Sequence, residues 1–332
     1  MKKNIAIIAG GDSGEYGISV KSGSVVAESF DQDKFNTYLI SIRGAGWFLE
    51  KGDQKIPVDK NDFSVEVAGE KIRFDCVFCA IHGTPGENGK MPAYFEMLGI
   101  PYTSTDSTVS ALTFNKELCN RVVSTYDIPL AGSMHFYRED HVDESEILEK
   151  LSLPLFVKPN SGGSSVGMTK VKEPGQLQEA IQSAFREDSE VLIEEYIKGR
   201  ELTCGLIGYK GRMYVFPICE IVSKKEFFDF EAKYNPNLAD EIVPADIPEE
   251  LEIQIKETSA FLYKKLNCRG VVRVDYIHHT DDDILYFLEM NTVPGLTRES
   301  IVPKMAREMG ISLQELFTMM VEDAIWRRER LG

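Results

Sequence analysis

The chain has 332 residues and a formal net charge of −16 at pH 7. That length exceeds one ordinary hydrophobic core and predicts two or three domains. The acidic balance argues against nucleic acid or an anionic membrane as partner, since both need a basic surface. No apolar run approaches the ~20 residues of a membrane helix.

In chain order, Met1-Lys2-Lys3 and the short apolar run behind it pass straight into Gly10-Gly11, so the opening reads as a buried strand, Asn4 to Ala9, and not as an export signal. A helix over Ile18 to Phe30 follows, then strands over Asn36 to Ile42 and Phe74 to Ile81. This alternation predicts a small α/β domain with a largely parallel sheet, whose ligands gather at the carboxyl ends of the strands. Two glycine-rich loops leave those ends, residues 10–15 and 82–89. The first lacks the spacing of a dinucleotide loop. Glu15 in it reads either as a holder of a substrate cation or as an acid facing a helix dipole. His82, at a strand end beside glycines, reads by itself as a packing or hydrogen-bonding residue, and His135, His141, His278 and His279 as exposed. Cys76 and Cys79 fall inside an apolar strand with no second pair, so a structural role and a cytoplasmic setting are expected.

Residues 99–105 are turn-rich and read as a linker. A helix over Ser107 to Tyr126 carries Lys116. Next come two β-branched strands around a glycine–serine loop, from Leu155 through Lys158 and Gly162-Gly163-Ser164-Ser165 to Val171. Exposed N–H groups of such a loop can wrap phosphate oxygens, with Lys158 as a point charge. A helix over Pro174 to Arg186 and a strand over Val191 to Ile197 follow, and the strand-to-loop junction can read an adenine edge. The aromatic, polar stretch 223–244 has no period and reads as a lid. Helices are predicted over Pro248 to Leu266 and Ser312 to Arg328.

Between those two helices lie two apolar strands, Gly270 to His278 and Ile284 to Asn291, joined by an acidic hairpin loop, Thr280 to Asp283. Residues two apart on a strand face the same side. Arg273 therefore shares a face with Asp275, and Glu289 with Asn291. If the loop pairs odd positions with odd ones, all four meet. Two carboxylates and an amide oxygen form a hard oxygen nest suited to Mg²⁺; the plainer reading is a salt-bridged hairpin.

Taken in order, these blocks resemble the D-alanine–D-alanine ligases, of the ATP-grasp fold. They are Gly10 to Glu15 with Ser19 and Ser22-Gly23, His82 to Gly89, Val157-Lys158-Pro159 with Gly163 to Gly167, Glu231 to Tyr234, Arg273-Val274-Asp275, and Glu289 to Thr297. The resemblance implies an N-terminal Rossmann-like parallel-sheet domain (1–103), a central ATP-grasp subdomain with the phosphate loop (104–194) and a C-terminal one with lid and metal site (195–332). It implies ATP-dependent joining of two D-alanines through an acyl phosphate, for peptidoglycan precursors, in a cytoplasmic homodimer. Two Mg²⁺, or Mn²⁺ in their place, would be held by Asp275, Glu289 and Asn291.

Carried over by position, Lys116, Lys158, Ser164 and Ser165 bind the nucleotide phosphates. Glu194, Glu195, Tyr196 and Ile197 line the adenine slot, Glu201 holds the ribose, and Lys233 meets the transferred phosphoryl. Glu15 takes the ammonium of the first D-alanine, with His82 on the same substrate side. Arg273 and the Gly295 N–H stabilise the oxyanion, and Ser300 and Ile301 receive the second carboxylate. Glu15, Ser164 and Tyr234 form one hydrogen-bonded set. Gly17, Asn88, Asn115 and Met91-Pro92-Ala93 depart from the family pattern. The rivals are a D-alanyl-D-lactate ligase, another carboxylate–amine ligase of this fold, and a nucleotide-binding protein without catalysis. Tyr234 favours the dipeptide over the depsipeptide.

Overall fold

The computed structural model describes residues 2–163, 166–223 and 239–331. The first sheet is built from β1 (Lys3–Gly10), β2 (Phe35–Arg43), β3 (Gly46–Lys51), β4 (Gln54–Asp59), β5 (Ser64–Val67), β6 (Glu70–Ile72) and β7 (Cys76–Cys79), in the order β6-β5-β4-β3-β2-β1-β7. Its parallel part is β2-β1-β7, and β3 to β6 extend it as an antiparallel meander. Ile5, Ala6, Ile7 and Ile8 are wholly buried, as a central strand covered on both faces requires. One cover is α1 (Tyr16–Ser29), and α2 (Lys90–Leu98) follows β7.

The single helix expected over 107–126 is two, α3 (Ser107–Phe114) and α4 (Lys116–Ser124). Asn115 between them is extended, and its side-chain oxygen caps α4 by accepting the Leu118 N–H at 2.9 Å. The break turns Lys116 toward the second sheet, where its N–H donates to the Asn160 carbonyl at 3.2 Å.

That second sheet comprises β8 (Ser133–Tyr137), β9 (Leu155–Pro159), β10 (Thr169–Val171) and β11 (Glu190–Glu195), ordered β10-β9-β11-β8. It is covered by α5 (Glu144–Lys150) and α6 (Leu177–Glu187). In α6 the buried residues Leu177, Ala180, Ile181 and Ala184 recur at helical spacing.

The third sheet contains β12 (Arg200–Tyr209), β13 (Arg212–Val215), β14 (Cys219–Ser223), β15 (Ala239–Ile242), β16 (Val271–His279) and β17 (Ile284–Asn291). Its path is β15-β14-β12-β16-β17, with β13 on β12. Helix α7 (Glu249–Lys265) packs on its apolar face. Then come α8 (Ile301–Glu308) and α9 (Leu313–Leu331). Helix α9 returns to the first sheet, where Phe317 meets Phe78 at 5.4 Å and Phe30 at 6.2 Å between ring centres.

His278 and His135, expected at the surface, are instead held inside: Nε2 of His278 is 2.8 Å from Asp283 Oδ1, and Nε2 of His135 is 2.9 Å from Glu190 Oε2. Residues 102–105, expected as a linker, are buried, with Tyr102 bridged to Val77.

Asn115→Ala removes the α4 cap and is expected to lower the unfolding free energy by ~1 kcal/mol, measured by urea denaturation.

Candidate active site

On the β16–β17 hairpin Arg273 pairs with Asn291 and Asp275 with Glu289, as odd-with-odd pairing requires. The loop does not set this register. At the loop end Ile277 pairs with Tyr286 and His278 with Leu285, odd with even. A β-bulge after Asp275 leaves Leu288 as the extra residue and changes the parity. Without it Asp275 would face Leu288, and Glu289 would turn to the side of Leu285 and Phe287, which are core. The bulge lets Met290 rejoin that core while Glu289 and Asn291 stay on the face of Arg273 and Asp275.

The four groups meet there. Arg273 Nε donates to Asp275 Oδ1 at 2.8 Å and Nη2 to Oδ2 at 2.7 Å. Asn291 Nδ2 donates to Asp275 Oδ2 at 3.0 Å and lies 3.4 Å from Glu289 Oε1. Thr203, which sequence reasoning missed, donates its hydroxyl to Asp275 Oδ1 at 2.6 Å. It pairs with Asp275 across β12–β16, and Glu201 two residues earlier shares its face. Burial works against the charge on Arg273, but Asp275, Glu289 and Glu201 outweigh it and hold the guanidinium ionised.

Among the described residues no three His, Cys, Asp or Glu side chains form a cage by themselves. The donor set is two carboxylates and an amide, which suits Mg²⁺ with waters and substrate phosphates completing the shell.

Most of the residues expected to meet a nucleotide gather around the second sheet, with Glu201 on β12 of the third. Lys116 Nζ donates to the Gly162 carbonyl at 2.7 Å. Lys158 forms an ion pair with Glu194, whose other oxygen accepts from Asn120 Nδ2 at 3.1 Å. Glu195 is the exception: adjacent strand residues face opposite ways, and its carboxylate accepts the Ser152 N–H at 2.7 Å. Its side chain is therefore turned away from Lys158. The Tyr196 ring carries Lys170 Nζ 3.4 Å from its centre and meets Phe156 edge-on at 5.6 Å. Phe156 and Lys170 had no role in the sequence reading.

Glu15 stands at the start of α1 and makes no side-chain capping bond to it. Its carboxylate lies against both glycine loops. A β-carbon on Gly163 would come 2.7 Å from Glu15 Oε2, and one on Gly83 3.2 Å from it. His82 is buried with both ring nitrogens engaged, Nε2 2.9 Å from Ser22 Oγ and Nδ1 2.9 Å from the Val293 carbonyl. The substrate contact expected of it does not fit this geometry; the hydrogen-bonding reading does. Ser300 precedes α8, its Oγ 2.7 Å from Thr297 Oγ1 and accepting the Thr297 N–H at 3.1 Å. A β-carbon on Gly295 would reach Ser300 Oγ at 2.8 Å, so Gly295 and Ser300 adjoin. Ser164, Ser165, Glu231, Lys233 and Tyr234 lie outside the described residues.

Two family models cover most of the chain: D-ala D-ala ligase N-terminus over residues 4–105 and D-ala D-ala ligase C-terminus over 122–322. The chain belongs to the D-alanine–D-alanine ligase family. A D-alanine–D-alanine ligase of Flavobacterium johnsoniae is 49% identical over 96% of this chain and 98% of its own. Among solved structures, the VanG D-Ala:D-Ser ligase of Enterococcus faecalis superposes with a TM-score of 0.86 at 33% identity, covering 98% of this chain and 100% of its own. A D-alanine–D-alanine ligase of Bacillus anthracis complexed with ATP gives 0.80 at 30% identity, covering 99% and 100%. The fold is that of the ATP-grasp ligases, with a mixed sheet in the N-terminal part.

In this ligase-family site one carboxyl has an unusual affinity for its proton. Desolvation, reinforced by the Glu15 charge, pushes Glu87 up to about 8, against the pull of the Gly83 and Val293 N–H groups. The folded state thus holds the proton more tightly than the unfolded chain. Glu87's contribution to stability is complete below its ordinary pKa of 4.5 and is lost as pH rises through about 8. Glu87→Gln is expected to flatten the decline of Tm across that window, measured without added divalent ion; an unchanged slope contradicts the assignment.

Proposed function

We propose that this chain joins two D-alanines into D-alanyl-D-alanine at the cost of ATP, supplying peptidoglycan precursors. The observation that carries the reading is the single polar face shared by Arg273, Asp275, Glu289 and Asn291. A nucleotide-binding protein needs no half-buried arginine beside its metal carboxylates; a ligase with an oxyanion to stabilise does.

A carboxylate resists nucleophiles because its charge repels them. Transfer of the terminal phosphoryl of ATP to the first D-alanine turns one carboxylate oxygen into a leaving group. That transfer depends on positioning and charge neutralisation. Lys116 and Lys158, at the glycine–serine loop, hold the phosphates, with Ser164 and Ser165 closing over them and Lys233 meeting the transferred group. Asp275, Glu289 and Asn291 would hold two Mg²⁺, or Mn²⁺, which neutralise phosphate charge. The adenine lies by Tyr196 and Ile197, with the ribose on Glu201. Glu194 closes that slot through Lys158, and the backbone of Glu195 borders it.

Glu15 binds the ammonium of the first D-alanine. Ser300 and the Ile301 N–H, at the start of α8, receive the carboxylate of the second, where a helix N-terminus favours an anion. The second amine attacks the acyl phosphate. Arg273 and the Gly295 N–H take up the charge of the tetrahedral intermediate, which collapses to dipeptide and phosphate. Glu15, Ser164 and Tyr234 link the loops that exclude water. The contact of Glu15 with Gly163, next to Ser164, supports that link.

The division into parts at 1–103, 104–194 and 195–332, a homodimer and a cytoplasmic setting belong to the same proposal. None of the described helices is long and apolar enough to cross a membrane.

Incubation with ATP, Mg²⁺ and D-alanine, with the product weighed by mass spectrometry, tests the reading: D-alanyl-D-alanine is expected, and phosphate release that ignores D-alanine contradicts it. Glu289→Gln is expected to abolish Mg²⁺-dependent turnover with Tm preserved. Arg273→Ala is expected to lower turnover by ~10²–10³-fold, as loss of an oxyanion donor does.

A further inference from the structure

Val293 is held by the N-terminal part of the chain in three ways. Its side chain is 5% exposed and packs in the core of the first sheet, with Ile8, Ile42, Ile81 and Phe95. Its N–H donates to Glu87 Oε1 at 3.3 Å. Its carbonyl accepts from His82 Nδ1 at 2.9 Å. Both polar groups of one peptide residue, at the end of the metal-site strand, are therefore bound by the loop that follows β7.

The loop is itself fixed. Glu87 Oε2 accepts the Gly83 N–H at 2.6 Å, and the Glu87 N–H donates to the Gly83 carbonyl at 2.8 Å. His82 Nε2 lies 2.9 Å from the Ser22 hydroxyl. Since Nδ1 faces a carbonyl, it must carry the proton, and Nε2 accepts from Ser22. Burial keeps the ring neutral by lowering its pKa, against the Glu15 charge that raises it.

After Val293 come Pro294 and Gly295. Proline fixes its own φ and restricts the residue before it to extended backbone. The segment from the clamped peptide to the Gly295 N–H is thus stiff. Gly295 sits against Ser300 with no room for a side chain.

We infer that Glu87 and His82 are positioning residues: they grip the Val293 peptide from both sides and so aim the Gly295 N–H at the oxyanion. Neither touches substrate. Glu87 supplies the acceptor and His82 the donor, and they hold the two peptide units on either side of the Val293 Cα. The inference rests on the ligase reading and adds to it the means by which the first sheet sets the oxyanion donor.

The test is a set of variants assayed for kcat, KM and affinity for a phosphinate dipeptide mimic of the tetrahedral intermediate. Glu87→Gln puts an amide donor against one of two N–H groups. His82→Gln loses the Nδ1 donor, whereas His82→Asn places an amide nitrogen near it. Glu87→Gln and His82→Gln are each expected to lower kcat and phosphinate affinity together, by up to ~10²-fold as a small misplacement does, with KM for ATP unchanged. The double variant should fall no further than the worse single one, because either loss frees the same residue, Val293. His82→Asn should retain more activity than His82→Gln. Multiplying losses, equal losses in the two His82 variants, or full kcat in Glu87→Gln would overturn the inference. Amide exchange in the wild-type protein reads the clamp even where a variant does not fold: the Val293 N–H must exchange as slowly as core amides, and loop-like exchange overturns it. Wild type that makes no dipeptide speaks against the ligase reading alone, since the exchange measurement stands apart from catalysis.

Discussion

A one-residue slip in strand pairing governs the chemistry of this protein. Strand side chains alternate strictly, so a carboxylate and its partner either share a face or do not. With the register of the hairpin loop continued, Glu289 would enter the core lined by Leu285 and Phe287. An isolated carboxylate buried there would be very costly. The extra residue Leu288 removes that conflict. It brings Glu289 opposite Asp275 and returns Met290 to the apolar side. In the proposed reaction, the later steps, from charge neutralisation to oxyanion binding, draw on the surface created in this way.

Around that surface the chain is tied together by bonds between segments distant in sequence. The loops after β1 and β7 are laced by Asp12 to Thr84 and Ser13 to His82. The third sheet is tied to α8 by Lys304, whose Nζ lies 2.9 Å from Glu241 Oε2 on β15. Strand β14 leads into the 223–244 stretch read as a lid, strand β15 forms its end, and Lys304 lies one turn from Ser300. The proposed acceptor pocket and the base of that stretch therefore share an ion pair.

Much of this was legible in the residue order. Arg273 with Asp275 and Glu289 with Asn291 stand in phase inside apolar strands, which no ordinary surface hairpin needs. Lys158 on a β-branched strand before Gly162-Gly163 placed that lysine beside the glycine turn, and the strands β9 and β10 stand on either side of it. The bulge was not legible, because Phe287-Leu288-Glu289 reads as unbroken alternation; only the return of an apolar residue at 290 marks the slip. Strands β3 to β6 escaped notice because they are short, largely exposed on one side and separated by turns at Gly44, Gly52 and Gly69, each with positive φ. The helix break at Asn115 was hidden by apolar residues on both sides, which satisfy helical periodicity equally well. His82 and Glu87 share the motif of residues 82–89, but their common partner, Val293, is 206 positions from Glu87 in sequence and appears only on folding.

All six cysteines are free thiols within the folded interior. Burial pushes Cys76, Cys79, Cys119, Cys204 and Cys219 up to about 12, and it raises Cys268 as well. A thiol reacts as its thiolate and only where reagents can reach it. The native protein is thus indifferent to alkylating and mildly oxidising agents, and labelling of any of the six registers an opening of the fold. The cysteines form a built-in gauge of unfolding placed in the first and third sheets, in α4 and in the turn before β16.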